Sequence, residues 1–372
     1  MSLLKNLGDE PLKTFTVSLD YTEAVAIKDF KDVGSHSWTQ VDDEPILVIP
    51  GAPARWTNPS IPLRVAPDQG TRFIDHTGAQ CDKQGVHRLA PVFQSVDFCT
   101  PNFDYKQLDI ICNRNNLRNL LHWVEYSTKK DFRIDLHLIN GDKTLVMVEH
   151  EVSKTEDIPE GAFRGYGDNF RQRAVIAPPG QTRHNRIVTY TLGDFRLLMG
   201  HKVEAAFRDK DTQDDVDFLA NALGKAKVGK AGPTRSETPG TLQMRQGEDP
   251  YKQYKFVEIK TMSQRKEIDW KDFYPQLYLS QTAQVRVARH DRGTFRKMET
   301  YDIFSKDLKN EQEIMELRLA KLALFLKELR STLRELGVGP WSLVCKQGTL
   351  RLYDSKDDPL PDFILSRFNV DE

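Results

Sequence analysis

Phe132, Ile134, Leu136 and Leu138 alternate with polar residues and run into Asn140-Gly141-Asp142. A period of two puts one row of side chains on one face of an extended strand, and the turn-forming triplet folds the chain back on itself. Residues 143–152 supply the returning strand, so the spacing predicts a hairpin. Further strand-like runs fall at 186–191, 196–207, 255–260, 284–289 and 295–301. A chain built mainly from such runs has to fold around sheets. Helical periodicity is clearest over 307–336, where Ile314, Leu317, Leu324, Leu329 and Leu333 fall near one stripe and Gly337 follows as a stop. That stripe reads as core packing. A short helix is expected at 214–223.

Residues 1–100 are rich in Pro, Gly, Asp and Ser, with short apolar runs such as Ile46-Leu47-Val48-Ile49-Pro50. They read as loops and short strands laid over a core. The Gly-, Lys-, Ser-, Thr- and Pro-rich stretch 224–250 reads as a mobile surface loop inside the domain. The expectation is one α/β (α+β) domain over residues 1–372, built on mixed β-sheets with flanking helices.

The 372 residues suffice for a sizeable core. With 53 basic and 54 acidic residues the net charge is −1, so a nucleic-acid site has to be a local basic patch. Cys81, Cys99, Cys112 and Cys345 are scattered and show neither zinc-ligand spacing nor a disulfide framework, which points to a reduced intracellular setting. Met1-Ser2-Leu3-Leu4-Lys5 lacks the apolar run of a signal peptide, and no window approaches the ~20 apolar residues of a membrane span. A soluble protein of the cytosol or nucleus is expected, without a membrane partner.

The chemistry centres on Phe256-Val257-Glu258-Ile259-Lys260-Thr261. Alternation buries one face and sets Glu258 and Lys260 side by side on the other. Metal-dependent phosphodiester hydrolysis uses such a pair. The carboxylate holds a divalent cation, while the lysine orients or deprotonates water and offsets phosphate charge. Glu-x-Lys alone is common on solvated strands, so its weight comes from the segments around it. These are Asp109 to Leu121 (containing Asn113-Arg114-Asn115-Asn116), Gly165-Tyr166-Gly167-Asp168-Asn169-Phe170-Arg171-Gln172, Val203-Glu204-Ala205-Ala206-Phe207, and Tyr274-Pro275-Gln276-Leu277-Tyr278-Leu279.

In order and residues these segments resemble the DXO family of RNA 5′-end decapping nucleases, from about residue 105 to 300. The resemblance implies a fold related to metal-dependent nucleases with a carboxylate…Glu-x-Lys core. It implies removal of incomplete or non-canonical caps, such as NAD-type caps, and 5′→3′ trimming, with magnesium or manganese as cofactor. By the same resemblance Arg114 contacts RNA phosphate, Gln276 places the substrate, and Glu204, Glu258 and the Ile259 backbone carbonyl hold metal. Lys260 is the lysine of Glu-x-Lys. Implied partners are capped, triphosphate or NAD-capped RNA 5′ ends and a 5′→3′ exoribonuclease, in a nuclear or cytoplasmic setting with the nucleus favoured.

Two positions depart from the pattern. The Gly-x-x-x-Glu segment ends in Arg171, and Glu-x-Asp becomes Glu204-Ala205-Ala206. Two hard cations need several oxygen ligands, and half of the acidic quartet is missing. Asp168, three residues before Arg171, is a substitute ligand if this segment is helical. Glu149 and Glu151, on the returning strand, are further candidates for a carboxylate, and the resemblance places an acid near this point too; Glu149 is also expected to contact substrate. Arg171 reads either as an ion-pair partner of Glu204 or Glu258 or as a phosphate clamp. Arg208 adds positive charge on the Glu204 face.

For Lys260 the plain alternative is an ion pair with Glu258 or Glu204. For Arg114 it is a surface salt bridge. For His137 and His150 it is a loose structural pairing across the hairpin. Lys225, Lys227, Lys230 and Arg235 read as a solvated loop. Two functions therefore stand side by side: a metal-dependent decapping hydrolase, and an RNA 5′-end binding protein or exoribonuclease-stabilising partner that has lost catalysis.

Overall fold

The computed structural model describes residues 3–17, 23–128, 130–159, 161–162, 165–208, 238–247, 254–337 and 339–369. The helix expected at 214–223, most of the 224–250 loop with its basic cluster, and the Arg208 side chain lie outside these residues. Among the described residues one sheet has eleven strands, a second has seven, and a ribbon has two. Both large sheets mix parallel and antiparallel neighbours, as expected for a mixed α/β fold.

The hairpin forms as its alternation requires. Phe132–Ile139 pairs antiparallel with Thr144–His150 in register Leu136↔Met147. Asn140, Gly141 and Asp142 take left-handed φ values of 58°, 60° and 61°, a conformation that Asn, Asp and Gly tolerate best. His137 pairs with Val146 and His150 with Arg133, so the two histidines do not meet; His150 bonds Asp135 instead, at 3.2 Å.

Three expectations need correction. The run 196–207 is two strands in two sheets. Phe195–Lys202 belongs to the eleven-stranded sheet and Ala205–Arg208 to the seven-stranded one. Glu204 sits in the break where the chain crosses between them. Residues 1–100 contain more regular structure than expected: a 15-residue strand, Ile27–Val41, and the helices His76–Gln84 and Ala90–Cys99. The strand escaped notice because its buried centre carries Ser35, His36 and Ser37, which break the apolar pattern.

The long helix Lys309–Leu336 ends at Gly337 with φ 86°, as expected. Its buried row, however, is Met315, Leu319, Leu322, Leu326, Leu329 and Leu333, alternating steps of four and three. Ile314 and Leu317 are 42% and 39% exposed. Leucines stand on both flanks of this helix, so composition alone could not choose the face. The row packs with Leu117, Leu120 and Leu121 and with Phe273, Tyr274 and Leu277 into the main core. This ties together the helices Arg114–Val124, Trp270–Leu279 and Lys309–Leu336 beside the site. Among the described residues no helix is long and apolar enough to cross a membrane.

Candidate functional site

Four elements converge on Glu258. The first is its own strand, Tyr254–Ser263, flanked by Ala205–Arg208 antiparallel and Gln284–Asp291 parallel. The register Ala205↔Val257 brings Glu204, one residue earlier, beside Glu258. The second is the helix Arg114–Val124. Asn113 caps it: its side-chain oxygen accepts from Asn116 N at 2.9 Å, and the Asn116 side chain accepts from Asn113 N at 3.1 Å. This reciprocal cap fixes where the helix begins and so aims Arg114 from its first position.

The third element is the helix Trp270–Leu279, started by Asp269, whose carboxylate accepts from Asp272 N at 3.2 Å. Pro275 removes the amide that would bond the Lys271 carbonyl. Arg318, buried on the long helix, donates to that carbonyl at 3.0 Å, so the proline is accommodated and Gln276 is delivered one residue later. The fourth is the helix Gly167–Ala174. Asp68 accepts from the amides of Asp168 and Asn169 at 3.1 and 2.9 Å. A Cβ on Gly167 would stand 3.0 Å from Thr261 Oγ1, so the helix lies tight against the Glu258 strand and a larger residue would push on Thr261.

Within this frame Glu258 is 9% exposed. Gln276 Nε2 donates to its Oε1 at 3.1 Å, and Arg114 Nη1 lies 3.9 Å from its Oε2. Burial pushes the Glu258 carboxyl up from its ordinary value; Arg114 opposes this and the Glu204 charge adds to it. Arg114 also donates to the Gln276 carbonyl and to Ser280 Oγ, both at 3.4 Å.

Glu204 is held differently. Lys202 Nζ donates to its Oε1 at 2.7 Å, and Arg171 Nε forms an ion pair with its Oε2 that lacks hydrogen-bond alignment. Burial favours its neutral form, but Lys202 and Arg171 outweigh that and hold the carboxyl below its usual range. Arg171 Nη1 in turn donates to Asp168 Oδ1 at 2.6 Å.

The structure thus brings together Arg114, Arg171, Glu204, Glu258, Lys260 and Gln276. Gly167–Ala174 is helical, as the Asp168 expectation required, but Asp168 Oδ1 is taken by Arg171 on the same face, so a cation already sits on that carboxylate. Glu149 meets other partners: it accepts from Asn113 Nδ2 at 2.7 Å and Asn115 Nδ2 at 3.1 Å, with Arg88 beside it. Glu151 pairs with Lys130. Lys260 pairs with neither glutamate; its ammonium stands 4.9 Å over the Phe273 ring. Burial lowers its pKa, against the pull of Asp272 and Glu258.

Sequence reasoning missed three cations near the pair. Lys202 was readable two residues before Glu204, and Arg118 one helical turn after Arg114. Arg183 carried no such signal. It reaches toward Glu204 and Arg171 from a residue with φ 51°.

A two-metal site needs free oxygens, and this donor set does not supply them. Both Glu204 oxygens face cations, and Glu258 is engaged by Gln276 with Arg114 alongside. Among the described residues no three His, Cys, Asp or Glu side chains converge as a metal cluster. Ile259, whose carbonyl was expected as a ligand, lies in register with Arg286 with its side chain in the core. Ala206 is 1% exposed and paired with Phe256, whose ring carries the Arg186 guanidinium 4.4 Å away. A buried methyl group stands in the place of the missing aspartate. A pair of magnesium or manganese ions does not fit the residues present.

Residues 13–359 match the model of a family described as a domain of unknown function, DUF8563. No curated protein matches the sequence. Solved structures of similar fold include Schizosaccharomyces pombe Rai1 in complex with 3′-FADP, 11% identical, covering 92% of this chain and 99% of that one with a TM-score of 0.55. Candida albicans Rai1 in complex with pU5 and Mn2+ is 10% identical, with 96% and 99% covered and a TM-score of 0.52. Kluyveromyces lactis Dxo1 in complex with manganese is 10% identical, with 96% and 98% covered and a TM-score of 0.53. At these identities the likeness is one of fold.

Proposed function

The chain belongs to the DUF8563 family and shares the fold of Rai1 and Dxo1, and from that premise we propose that it binds phosphorylated RNA 5′ ends without a metal ion. The observation that carries this reading is Arg171 in ion contact with Glu204, a cation on a carboxylate that a hydrolase would keep for metal. Arg114, Arg171, Lys202 and Lys260 surround two glutamates, one of which burial pushes toward its neutral form. Asp168 on Arg171 and Asp272 near Lys260 offset part of that charge, and the cations left over suit an anion. Arg114 and Lys260 supply the phosphate contacts, and Gln276 orients the ligand while holding Glu258.

A second reading is favoured by a different observation. Arg114, Glu258, Lys260 and Gln276 converge as the resemblance to decapping nucleases requires, and a hydrolase of incomplete or NAD-type caps would use the same four. One titration separates the two. The binding reading expects 5′-phosphorylated oligoribonucleotide to bind equally well in chelator and in manganese. Its affinity should fall steeply with salt as phosphate contacts release counterions. Arg114→Gln should weaken it by about tenfold, the loss of one charge-assisted contact. Manganese-dependent release of a cap or nucleotide, abolished in Glu258→Gln, would establish the hydrolase instead.

A further inference from the structure

The geometry points to a second phosphate subsite at Arg118, one turn along the helix from Arg114; the inference rests on the binding reading above. Arg114, Arg118 and His122 are spaced i, i+4, i+8 and share one face of the helix Arg114–Val124. That face lies against the helix Trp270–Leu279, with Arg114 meeting Gln276 and Ser280 at one end and His122 Nε2 3.4 Å from Asp272 Oδ1 at the other. Arg118 falls between these contacts. Its Nε is buried without a hydrogen-bond partner, and among the described residues its guanidinium enters no ion pair.

A buried guanidinium N–H with no acceptor is costly unless something fills it. The acids near it, Asp272 and Glu258, act on Arg118 through their charge but contact His122 and Gln276 rather than its Nε. Lys260 enters no ion pair among the described residues; its ammonium stands over the Phe273 ring of the facing helix, and burial and the Arg118 charge lower its pKa, against Asp272 and Glu258. Arg118, with Lys260 shared between it and the first phosphate, can take one more anionic oxygen group. Four residues of helix advance ~6 Å along the axis, so Arg114 and Arg118 take neighbouring phosphates of one ligand. That second phosphate is either the first internucleotide phosphodiester or the next phosphate of a 5′-polyphosphate.

The test is titration of uridine 5′-monophosphate, uridine 5′-triphosphate and 5′-phosphorylated oligouridylate, in chelator, across a salt series. Arg118→Gln is expected to leave the monophosphate unchanged and to weaken one of the other two by about tenfold. For the oligomer the salt slope should shrink by about 0.7, one phosphate on a single strand. Loss on the oligomer identifies the phosphodiester, and loss on the triphosphate identifies the polyphosphate. Arg118→Lys should retain the slope. Arg118→Met keeps the apolar stem and serves if the glutamine variant does not fold. Unchanged binding of all three ligands by a folded variant overturns the subsite, as does equal weakening of all three. Wild-type protein that binds none of them overturns the underlying reading and the subsite together.

Discussion

Arg171 decides the character of the site. It stands where a carboxylate was expected, and it takes up both Asp168 and Glu204. Removing one member of a buried pair leaves the others uncompensated, at ~3–5 kcal/mol for a fully buried pair. Arg171 and Lys202 are about one-third exposed on their side chains, so Glu204→Gln should cost less, on the order of 2 kcal/mol. Chemical denaturation at neutral pH checks this.

The two glutamates should also give opposite pH signatures. Glu258 is raised above its ordinary value of 4.5. The folded state therefore holds an extra proton from about that value up to the raised one, and stability falls as pH rises through the window. Glu258→Gln should flatten that slope. Glu204 is lowered, so its contribution is present above 4.5 and is lost as pH falls through the lower folded value. Unfolding curves measured against pH in the two glutamine variants separate these slopes. The double variant Arg171→Glu with Ala206→Asp should gain a manganese-induced rise in Tm that the wild type lacks; absence of any gain would show that the packing of Phe256 and Arg186 keeps the metal out.

At the scale of elements, the Arg114 helix shows how a cap controls a site. Asn113 closes the helix N-terminus and donates to Glu149 with the same side chain. Asn113→Ala should lose about 1–2 kcal/mol of stability and loosen Arg114, lowering RNA affinity without changing any phosphate-contacting residue. Thermal unfolding and binding measured together check that the two effects travel as one. Gly167→Val should displace its helix from Thr261 and carry Arg171 away from Glu204, which the Glu204 pH slope would report.

The hairpin, the Glu-x-Lys strand and the long helix were legible because period and turn chemistry act locally. The strand Ile27–Val41 and the break at Val203-Glu204 were not. Buried serines and a buried histidine hide the first, and only tertiary pairing shows that residues 195–202 and 205–208 belong to different sheets. The same limit applied to charge. The sequence showed Arg171 near Glu204 as an option, but which carboxylate it meets, and that Lys202 takes the other oxygen, depends on where the two sheets cross.

At the scale of the whole molecule a net charge of −1 conceals a local excess of cations. The crossing of the chain from the eleven-stranded to the seven-stranded sheet sets Glu204 beside Glu258, and two helices then bring Arg114, Arg118 and Arg171 over them. Such a cluster of cations attracts an anionic ligand by field as well as by contact, so the association rate should fall with ionic strength. The most direct test of the account is the affinity of the wild-type protein for 5′-phosphorylated oligoribonucleotide, measured in parallel with chelator and with manganese, with product release followed in the same tubes. The account predicts equal affinity in both and no released nucleotide. Binding that appears only with manganese, or manganese-dependent release that Glu258→Gln abolishes, would contradict it.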